Sequence, residues 1–195
     1  SISVVVDITG KQALEGFDVK DLKNSQSVVI NIVSDVAFSA KALYYSGPFK
    51  NTGEVSPKAG EETTYTIVWN VSNSANNISK AKVVSTLPSW IRFVGPFSPS
   101  TADLSYNPST KEIVWDIGTL PKGTGITGDS KEVAFQIGFT PSLSQLSSIP
   151  VIINDATLTG HDDFANVNVR VNKGSLRTRL DSDPLFPKGG GLVTE

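Results

Sequence analysis

The sequence has no cysteine and only one histidine, and this scarcity removes much of the chemistry that enzymes use. Without cysteine the chain cannot form a disulfide, a thiolate zinc site or a cysteine nucleophile. His161 cannot build a zinc site alone, and no G-x-S-x-G nucleophile motif is present. The glycine before it and the two aspartates after it favour a solvated turn. Because no set of reactive residues converges, we expect no enzymatic activity.

The chain also lacks a large charge of either sign and any long apolar run. Its 17 Lys and Arg residues and 19 Asp and Glu residues leave a formal net charge of −2, and the charges are dispersed. This balance gives no electrostatic basis for nucleic-acid binding. No apolar run approaches the roughly 18 residues of a membrane-spanning helix. Methionine is absent and the first residue is serine, so we expect a processed product or an excerpt of a longer protein.

The most informative stretch is residues 59–95, which reads AGEETTYTIVWNVSNSANNISKAKVVSTLPSWIRFVG. Apolar and polar residues alternate in its first half, and this period of two predicts a strand with one buried face and one solvated face. The pattern breaks at a polar Asn/Ser turn and then resumes, which predicts a hairpin of a β-sandwich. The predicted buried face carries Tyr65, Ile67, Trp69 and Val71, and the predicted solvated face carries Thr64, Thr66, Asn70 and Ser72.

Similar segments follow one another along most of the chain, separated by turns that contain glycine or proline. They are rich in valine, isoleucine, threonine and aromatic residues, which suit a pleated and half-buried surface. Short strands at this spacing predict an all-β fold, an antiparallel β-sandwich, with only residues 142–148 compatible with a helical turn. The predicted strands are 2–8, 17–20, 27–33, 41–45, 63–72, 81–86, 90–94, 112–117, 132–139, 151–158, 166–171 and 176–180.

A weak internal repeat connects the two ends of the sequence. Residues 7–10 (DITG) resemble residues 157–160 (TLTG), and Phe17 and Phe164 follow them. Further on, SDVAF at Ser34 resembles SDPLF at Ser182. The offset is about 147–150 residues, which predicts a tandem array of modules about 148 residues long. Chance similarity between β segments is the alternative.

The repeat divides the chain into three parts. Residues 1–36 are predicted to be the terminal strands of a preceding module, and residues 37–181 a complete sandwich module. Residues 182–195 are predicted to be a linker or the start of a following segment, because they contain Lys188-Gly189-Gly190-Gly191. Strands left over from a preceding module have an apolar face without a partner sheet. They must pack on the complete module, pair with another chain through an open edge, or stay poorly ordered.

Four motifs in order resemble a known family. They are AGEETTYTIVWNVSN (residues 59–73), TLPSWIRFVG (86–95), IVWDIGTLPKGTG (113–125) and EVAFQIGFTP (132–141). Together they resemble the DUF11-type conserved repeat domain of bacterial and archaeal cell-surface proteins, in the long version found in large surface proteins of uncultured bacteria. Here Glu61 replaces the frequent aspartate of the first turn, and Ser89-Trp90 replaces the usual Ala-Gly after Leu-Pro.

The resemblance implies an immunoglobulin-like sandwich, serial arrangement on the cell surface and no catalysis. Its signature residues also have a physical explanation as core. A tryptophan flanked by inward isoleucines, as Trp115 is, belongs to a sandwich core, and Leu87-Pro88 ends a strand because proline cannot donate to the ladder. The core signature consists of Tyr65, Trp69, Leu87, Pro88 and Trp115.

Calcium is the metal that the remaining acidic residues fit best, since Asp carboxylates are hard oxygen ligands. One candidate pair is Asp162 and Asp163, to which Asp155 is a possible addition. The other is Asp181 and Asp183 at the predicted module boundary, where bound calcium would stiffen an array. No EF-hand or acidic repeat spacing is present, so carboxylates that cap turns are the alternative, and we expect no other cofactor.

Two covalent modifications have weak sequence support. An intramolecular isopeptide bond would need a buried lysine beside an asparagine, and the candidates are Lys41, Lys82 and Lys131 with Asn70, Asn154 and Asn166. The glycosylation sequon occurs at Asn70 and Asn77, although such matches arise by chance in a chain rich in Asn and Ser. Solvated lysines and unmodified asparagines are the alternatives.

The sequence therefore favours a non-enzymatic module of an extracellular repeat protein that acts as a stalk, spacer, surface-layer or filament assembly unit. Its partners would be neighbouring modules or identical subunits. The alternative function is an adhesin-type binding module for a glycan or a cell-surface protein. The candidate ligand platform for that alternative consists of Tyr44, Tyr45 and Phe49, which lie on either side of Gly47-Pro48. Core packing is the other explanation of these aromatic residues.

Overall fold

The computed structural model describes residues 1–12 and 20–195, which divide into two compact units. The first unit is Ser1–Val33 and the second is Ser34–Glu195. The predicted strand 17–20 lies mostly outside the described residues. The observed boundary falls three residues before the predicted one, because Ser34 is already buried in the second unit.

The first unit is a two-stranded antiparallel hairpin of β1 (Ile2–Gln12) and β2 (Lys20–Ile30). Its register pairs Ile2 with Ile30 and Gln12 with Lys20. Every described residue of both strands is exposed, because each strand pairs only with the other.

The second unit is an antiparallel β-sandwich, as predicted. Its four-stranded sheet has the order β3-β4-β9-β6, and its five-stranded sheet has the order β12-β11-β5-β8-β7. A short pair, β10-β13, lies outside both sheets. The strands are β3 (Val36–Leu43), β4 (Thr63–Asn73), β5 (Ile78–Thr86), β6 (Ile91–Ser98), β7 (Asp103–Asn107), β8 (Glu112–Leu120), β9 (Lys131–Phe139), β10 (Val151–Ile153), β11 (Ala156–Asp162), β12 (Val167–Lys173) and β13 (Leu176–Arg177).

The strand order is that of an immunoglobulin-like fold. β3, β4, β9 and β6 take the places of strands A, B, E and D, while β5, β11 and β12 take the places of C, F and G. The hairpin of β7 and β8 extends the second sheet at the edge of β5. The prediction of an all-β, immunoglobulin-like sandwich is therefore confirmed.

The core between the sheets is centred on Trp69 of β4, which is fully buried. Phe38 of β3 and Phe135 of β9 meet its ring edge-on, with ring centroids 6.2 Å and 5.0 Å away. Trp115 of β8 packs into the same core cluster from the opposite sheet. The other members of the predicted core signature, Tyr65, Leu87 and Pro88, are also buried.

The outer face of β4 differs from the prediction in its first half. Thr64 and Thr66, predicted to be solvated, are buried because the segment 44–62 lies over this part of the sheet. Asn51 from that segment donates from Nδ2 to Thr66 Oγ1 at 3.0 Å, and Gln136 of β9 donates from Nε2 to Asn51 Oδ1 at 3.0 Å. A polar network can be buried in this way because its donors and acceptors satisfy one another.

Several strand bounds also differ from the prediction. The predicted strand 151–158 is two strands, β10 and β11, with Asn154 and Asp155 between them. β7 was not predicted, since only Leu104 and Tyr106 in its five residues are apolar. The expected helical turn in 142–148 is a short 3-10 helix, Leu143–Gln145. No helix in residues 1–12 and 20–195 is long and apolar enough to cross a membrane.

The last residues of the chain pack on the sandwich, in contrast to the linker predicted for 182–195. Val193 is 2% exposed within the core cluster, and Thr194 donates from its backbone N to Pro57 O at 2.9 Å. Gly191 has φ +89° and lies so close to Thr178 that a Cβ atom would come within 2.5 Å of the Thr178 carbonyl oxygen. The glycines predicted as a flexible linker thus include one that tight packing requires.

We expect Gly191→Ala to destabilise the sandwich much more than Gly189→Ala. Both residues have positive φ, which costs about 1–2 kcal/mol for alanine, but a Cβ at Gly189 meets nothing within 4 Å. The additional loss at Gly191, about 1–3 kcal/mol from overpacking, would appear as a lower midpoint in thermal denaturation. Equal midpoints for the two variants would show that the tail is not part of the folded unit.

Candidate functional site

The carboxylate of Asp162, the last residue of β11, is fully buried at one end of the sandwich. Its Oδ2 accepts from the backbone N of Ser34 at 2.7 Å and from Nδ2 of Asn76 at 2.9 Å. Its Oδ1 accepts from the backbone N of Phe164 at 3.0 Å and of Ala165 at 2.9 Å. One carboxylate thus joins the start of the second unit, the β4–β5 turn and the β11–β12 turn.

Ser34 and Asn73 extend this network across the same end of the sandwich, which we call the Ser34 end. Ser34 Oγ donates to Asn73 Oδ1 at 2.6 Å and accepts from the backbone N of Ala75 at 2.8 Å. Asn73, also fully buried, donates from Nδ2 to the carbonyl oxygens of Asn76, Leu120 and Pro121. The β8–β9 connection is therefore held to the same turn.

The hydrogen bonds keep Asp162 ionised although it is buried. Burial alone raises the pKa of a carboxyl group, but the donors from Ala165, Asn76, Ser34 and Phe164 outweigh that effect and hold the pKa of Asp162 below its ordinary value of 3.8. Four donors occupy the four lone-pair positions of the carboxylate. This is the geometry of a capped turn.

Asp183 forms a second buried carboxylate centre, in the C-terminal segment. Its Oδ2 accepts from the backbone N of Tyr44 and of Tyr45, each at 2.7 Å, and its Oδ1 accepts from Ser46 Oγ at 3.0 Å. Burial raises its pKa, but these bonds and one from the backbone N of Leu185 lower it below the ordinary value. Asp183 thus anchors the start of the segment 44–62 to the end of the chain.

The other calcium candidates do not join these two centres. Asp163, Asp155 and Asp181 are exposed, while Asp162 and Asp183 bind different parts of the chain. Asp163 Oδ1 accepts from Ser79 Oγ at 2.5 Å, and Asp155 Oδ1 accepts from the backbone N of Ser175 at 2.7 Å. Within residues 1–12 and 20–195, no three His, Asp or Glu residues lie close enough together to hold a metal ion.

The predicted aromatic platform is split between two environments. Tyr44 meets Tyr45 edge-on with ring centroids 4.9 Å apart, and its hydroxyl donates to the carbonyl oxygen of Gly53. Phe49 packs instead on the small cluster formed by Leu43, Val68 and Ala134. Of the three side chains, only Tyr45 is substantially exposed, at 50%. The three rings do not form one flat surface.

His161 lies on β11 and not in the turn predicted for it. Its Nδ1 lies 3.0 Å from Oδ1 of Asn168, its cross-strand partner. The isopeptide candidates Lys41, Lys82 and Lys131 are all exposed, whereas that reaction needs a buried lysine. A groove of about 490 Å³ beside β3 and β13 contains Arg177 and Arg179. Arg177 Nη1 is already bonded to the carbonyl oxygen of Ile149, at 3.0 Å.

Sequence reasoning missed the residues that complete the two carboxylate centres. Ser34 was noticed only as part of the repeated Ser-Asp pair, and Asn73 only as the last residue of the first family motif. Asn51 and Gln136 carry no sequence signal, because these two residues bind each other although they lie 85 positions apart in the sequence. The described hydrogen bonds of these residues tie loops and strands together.

No family model and no curated protein matches the sequence. Solved structures similar to it include the major pilin subunit BcpA of Bacillus cereus, with 12% identity, a TM-score of 0.42 and coverage of 87% of this chain and 55% of BcpA. The full-length major pilin SpaD of Corynebacterium diphtheriae has 12% identity and a TM-score of 0.45, over 82% of this chain and 46% of SpaD.

An exo-β-N-acetylglucosaminidase of class GH20 from Vibrio harveyi is also similar, with 8% identity, a TM-score of 0.32 and coverage of 69% of this chain and 17% of the enzyme. The chain spans about half the length of the two pilins. Values of this size assign no function to the chain.

We expect Asp162→Asn to destabilise the sandwich by about 2–3 kcal/mol at neutral pH, because it removes the charge that four buried donors share. Asp163→Asn, next in sequence and exposed, is the matched control and should cost less than about 0.5 kcal/mol. Urea denaturation measures both. Equal effects would contradict a structural role for the buried carboxylate.

The lowered pKa of Asp162 also predicts how the stability of the sandwich depends on pH. A folded-state pKa below the ordinary 3.8 contributes stability above pH 3.8 that is lost as the pH falls through the folded value. The stability difference between wild type and Asp162→Asn should therefore be constant above about pH 5 and shrink below about pH 4. A difference that grows on acidification would contradict this assignment.

A calcium titration tests the two carboxylate pairs directly. Since N–H and O–H donors occupy the oxygens of Asp162 and Asp183, we expect the melting temperature to be the same in millimolar calcium and in chelator. A calcium-dependent rise that Asp163→Asn or Asp181→Asn abolishes would instead establish a calcium site.

Proposed function

We propose that this chain is a structural module of an extracellular repeat protein, in which sandwich units follow one another as a stalk, spacer, surface layer or filament. The proposal includes membership of the DUF11-type surface repeats, which the four sequence motifs support. Its mechanism is mechanical, since a rigid sandwich holds its two ends at a fixed distance and transmits force between them.

One observation carries the proposal: the polypeptide crosses the sandwich from one end to the other. Ser34 is bonded to Asn73 at the last residue of β4. Thr194 is bonded to Pro57 and Ala59, and the adjacent Gly60 is bonded to Pro141 beyond β9, near the first residue of β4. The 11 residues of β4 span about 33 Å between these two ends.

Both ends of this path are fixed by hydrogen bonds. At the Ser34 end, the backbone N of Ser34 donates to the buried Asp162 and that of Asp35 donates to Ser74 Oγ. At the other end, Ser147 donates from its backbone N to Val193 O at 2.9 Å, and Val193 donates to Ser148 O at 3.1 Å. Tension along the chain would thus load strand pairs along their length, where many ladder bonds must break together.

Single-molecule force spectroscopy tests the proposal, and the absence of cysteine allows handles to be placed at will. A chain with Asp35→Cys and Glu195→Cys is pulled along the sandwich, and the exposed position of Asp35 leaves the buried contacts of Ser34 intact. A matched chain with Asp35→Cys and Lys122→Cys is pulled across one end only, because Lys122 is bonded to the same β4–β5 turn at Asn77. We expect a clearly higher unfolding force for the first geometry.

An unfolding force along the sandwich no higher than that across one end would contradict a load-bearing role.

The adhesin alternative is tested on a glycan array. Binding that Tyr45→Ala abolishes and Tyr106→Ala retains would favour a binding module, whereas the structural proposal expects no glycan to bind.

A further inference from the structure

The hairpin of β1 and β2 has an apolar face that no part of the described chain explains. In an antiparallel pair, residues opposite each other share a face, so the alternating positions from Ile2 to Gly10 form one surface with their partners on β2. Besides Asn24 and Gln26, that surface carries apolar residues that are each between 45% and 65% exposed, namely Ile2, Val4, Val6, Ile8, Leu22, Val28 and Ile30. The opposite face carries Val5 and Val29 among serine, threonine, lysine and aspartate residues.

The same hairpin occurs a second time, inside the sandwich, as β11 and β12. The sequence repeat places residues 7–10 at 157–160 and Phe17 at Phe164, which are offsets of 150 and 147 residues. Applied to the two strands, these offsets carry the pair Gly10 and Leu22 onto Gly160 and Val169, which are paired in the sandwich. The offsets at residues 7–10 and at Phe17 thus give the observed register, whereas the offset of 148 at Ser34 would carry Leu22 onto Arg170, one position further along.

The burial of the two hairpins is opposite at equivalent positions. Ala156 and Leu158 are 3% and 1% exposed, because β11 closes the core and pairs along its other edge with β5. Their equivalents Val6 and Ile8 are 53% and 65% exposed, and among the described strands β1 pairs with β2 alone. The apolar face of the first hairpin therefore corresponds to a face that is buried in the sandwich, although it is itself exposed.

Gly10 indicates which kind of strand would lie beside β1. At the equivalent Gly160, a Cβ atom would lie 2.5 Å from Cγ2 of Ile78 on β5, so glycine is required where β5 crosses closely. At Gly10, a Cβ atom would meet nothing within 4 Å. Glycine in mid-strand is otherwise unfavourable, so Gly10 fits a neighbour like β5 that lies outside this hairpin.

We propose that residues 1–33 are the closing hairpin of another sandwich unit of the same kind, located upstream in the polypeptide. In that unit β1 pairs with a strand equivalent to β5, and the apolar face of the hairpin completes the core. The proposal rests on the serial arrangement proposed above and names its contact. An intact second copy is not the partner, because its own β11 already occupies the edge of β5.

The test is an extended chain in which residues 34–150 are duplicated in front of Ser1, at the offset the repeat gives. We expect a second cooperative unfolding transition, and amide hydrogen exchange in β1 at least about tenfold slower than in the 195-residue chain. A true tandem chain, with residues 151–183 in place of 1–33, is the positive control. Two sandwiches in the control and only one in the extended chain would overturn the proposal.

Gly10→Val provides the matched variant. In the 195-residue chain it should leave the melting temperature unchanged, because its side chain enters open space and valine suits a strand. In the extended chain it should remove the second transition and the slow exchange in β1. Gly160→Val should destabilise the 195-residue chain, because Ile78 fills that space. A neutral Gly10→Val in the extended chain would overturn the assignment of the β5-like neighbour.

A measurement on the unaltered chain remains informative if the extended chain does not fold. The proposal requires rapid exchange at the outward amides of β1 and a monomeric mass across concentrations. Slow exchange together with a dimer mass would identify a second copy as the partner and overturn the proposal. The force measurement on residues 34–195 does not involve the hairpin, so the two proposals can fail separately.

Discussion

The buried carboxylate of Asp162 is the interaction on which the arrangement of this sandwich depends. A charge in the interior must be fully hydrogen-bonded, and the four donors that satisfy it come from three separate segments. Those segments are the start of the second unit, the β4–β5 turn and the β11–β12 turn. Because this one carboxylate needs four hydrogen-bond donors, it fixes where the polypeptide enters the sandwich and how the two sheets meet at that end.

The opposite end is fixed by a second charge and by close backbone packing. Asp183 holds the first residues of the segment 44–62 through Tyr44, Tyr45 and Ser46. Gly191 lets the chain approach Thr178 closely enough for Val193 to reach the core. Together with the centre at Asp162, these contacts produce a unit whose two ends are both anchored, which is the basis of the proposed mechanical role.

The hairpin of residues 1–33 extends the same physical reasoning to a partner. Its register and Gly10 have counterparts in β11 and β12, where the neighbouring β5 explains the glycine at position 160. Its apolar face has a counterpart in Ala156 and Leu158, which are buried in the core. The proposal above assigns both hairpins to the same kind of closing element. A repeated sandwich joined through such elements is consistent with the surface-repeat motifs of the sequence.

Local patterns are enough to predict the fold class and the main core residues, because period-two alternation and strand-ending prolines depend only on neighbouring residues. They predict Tyr65, Trp69 and Trp115 in strands, and all three are buried. Other features depend on long-range packing: Thr64 and Thr66 are buried because the segment 44–62 returns over them, and His161 lies on a strand instead of in the turn expected from its neighbours. Asp162 and Asp183, equal candidates for calcium by composition, became anchors because distant backbone N–H groups converge on them. Alternation can be read from neighbours in sequence, whereas the donors around a buried charge are set by long-range packing.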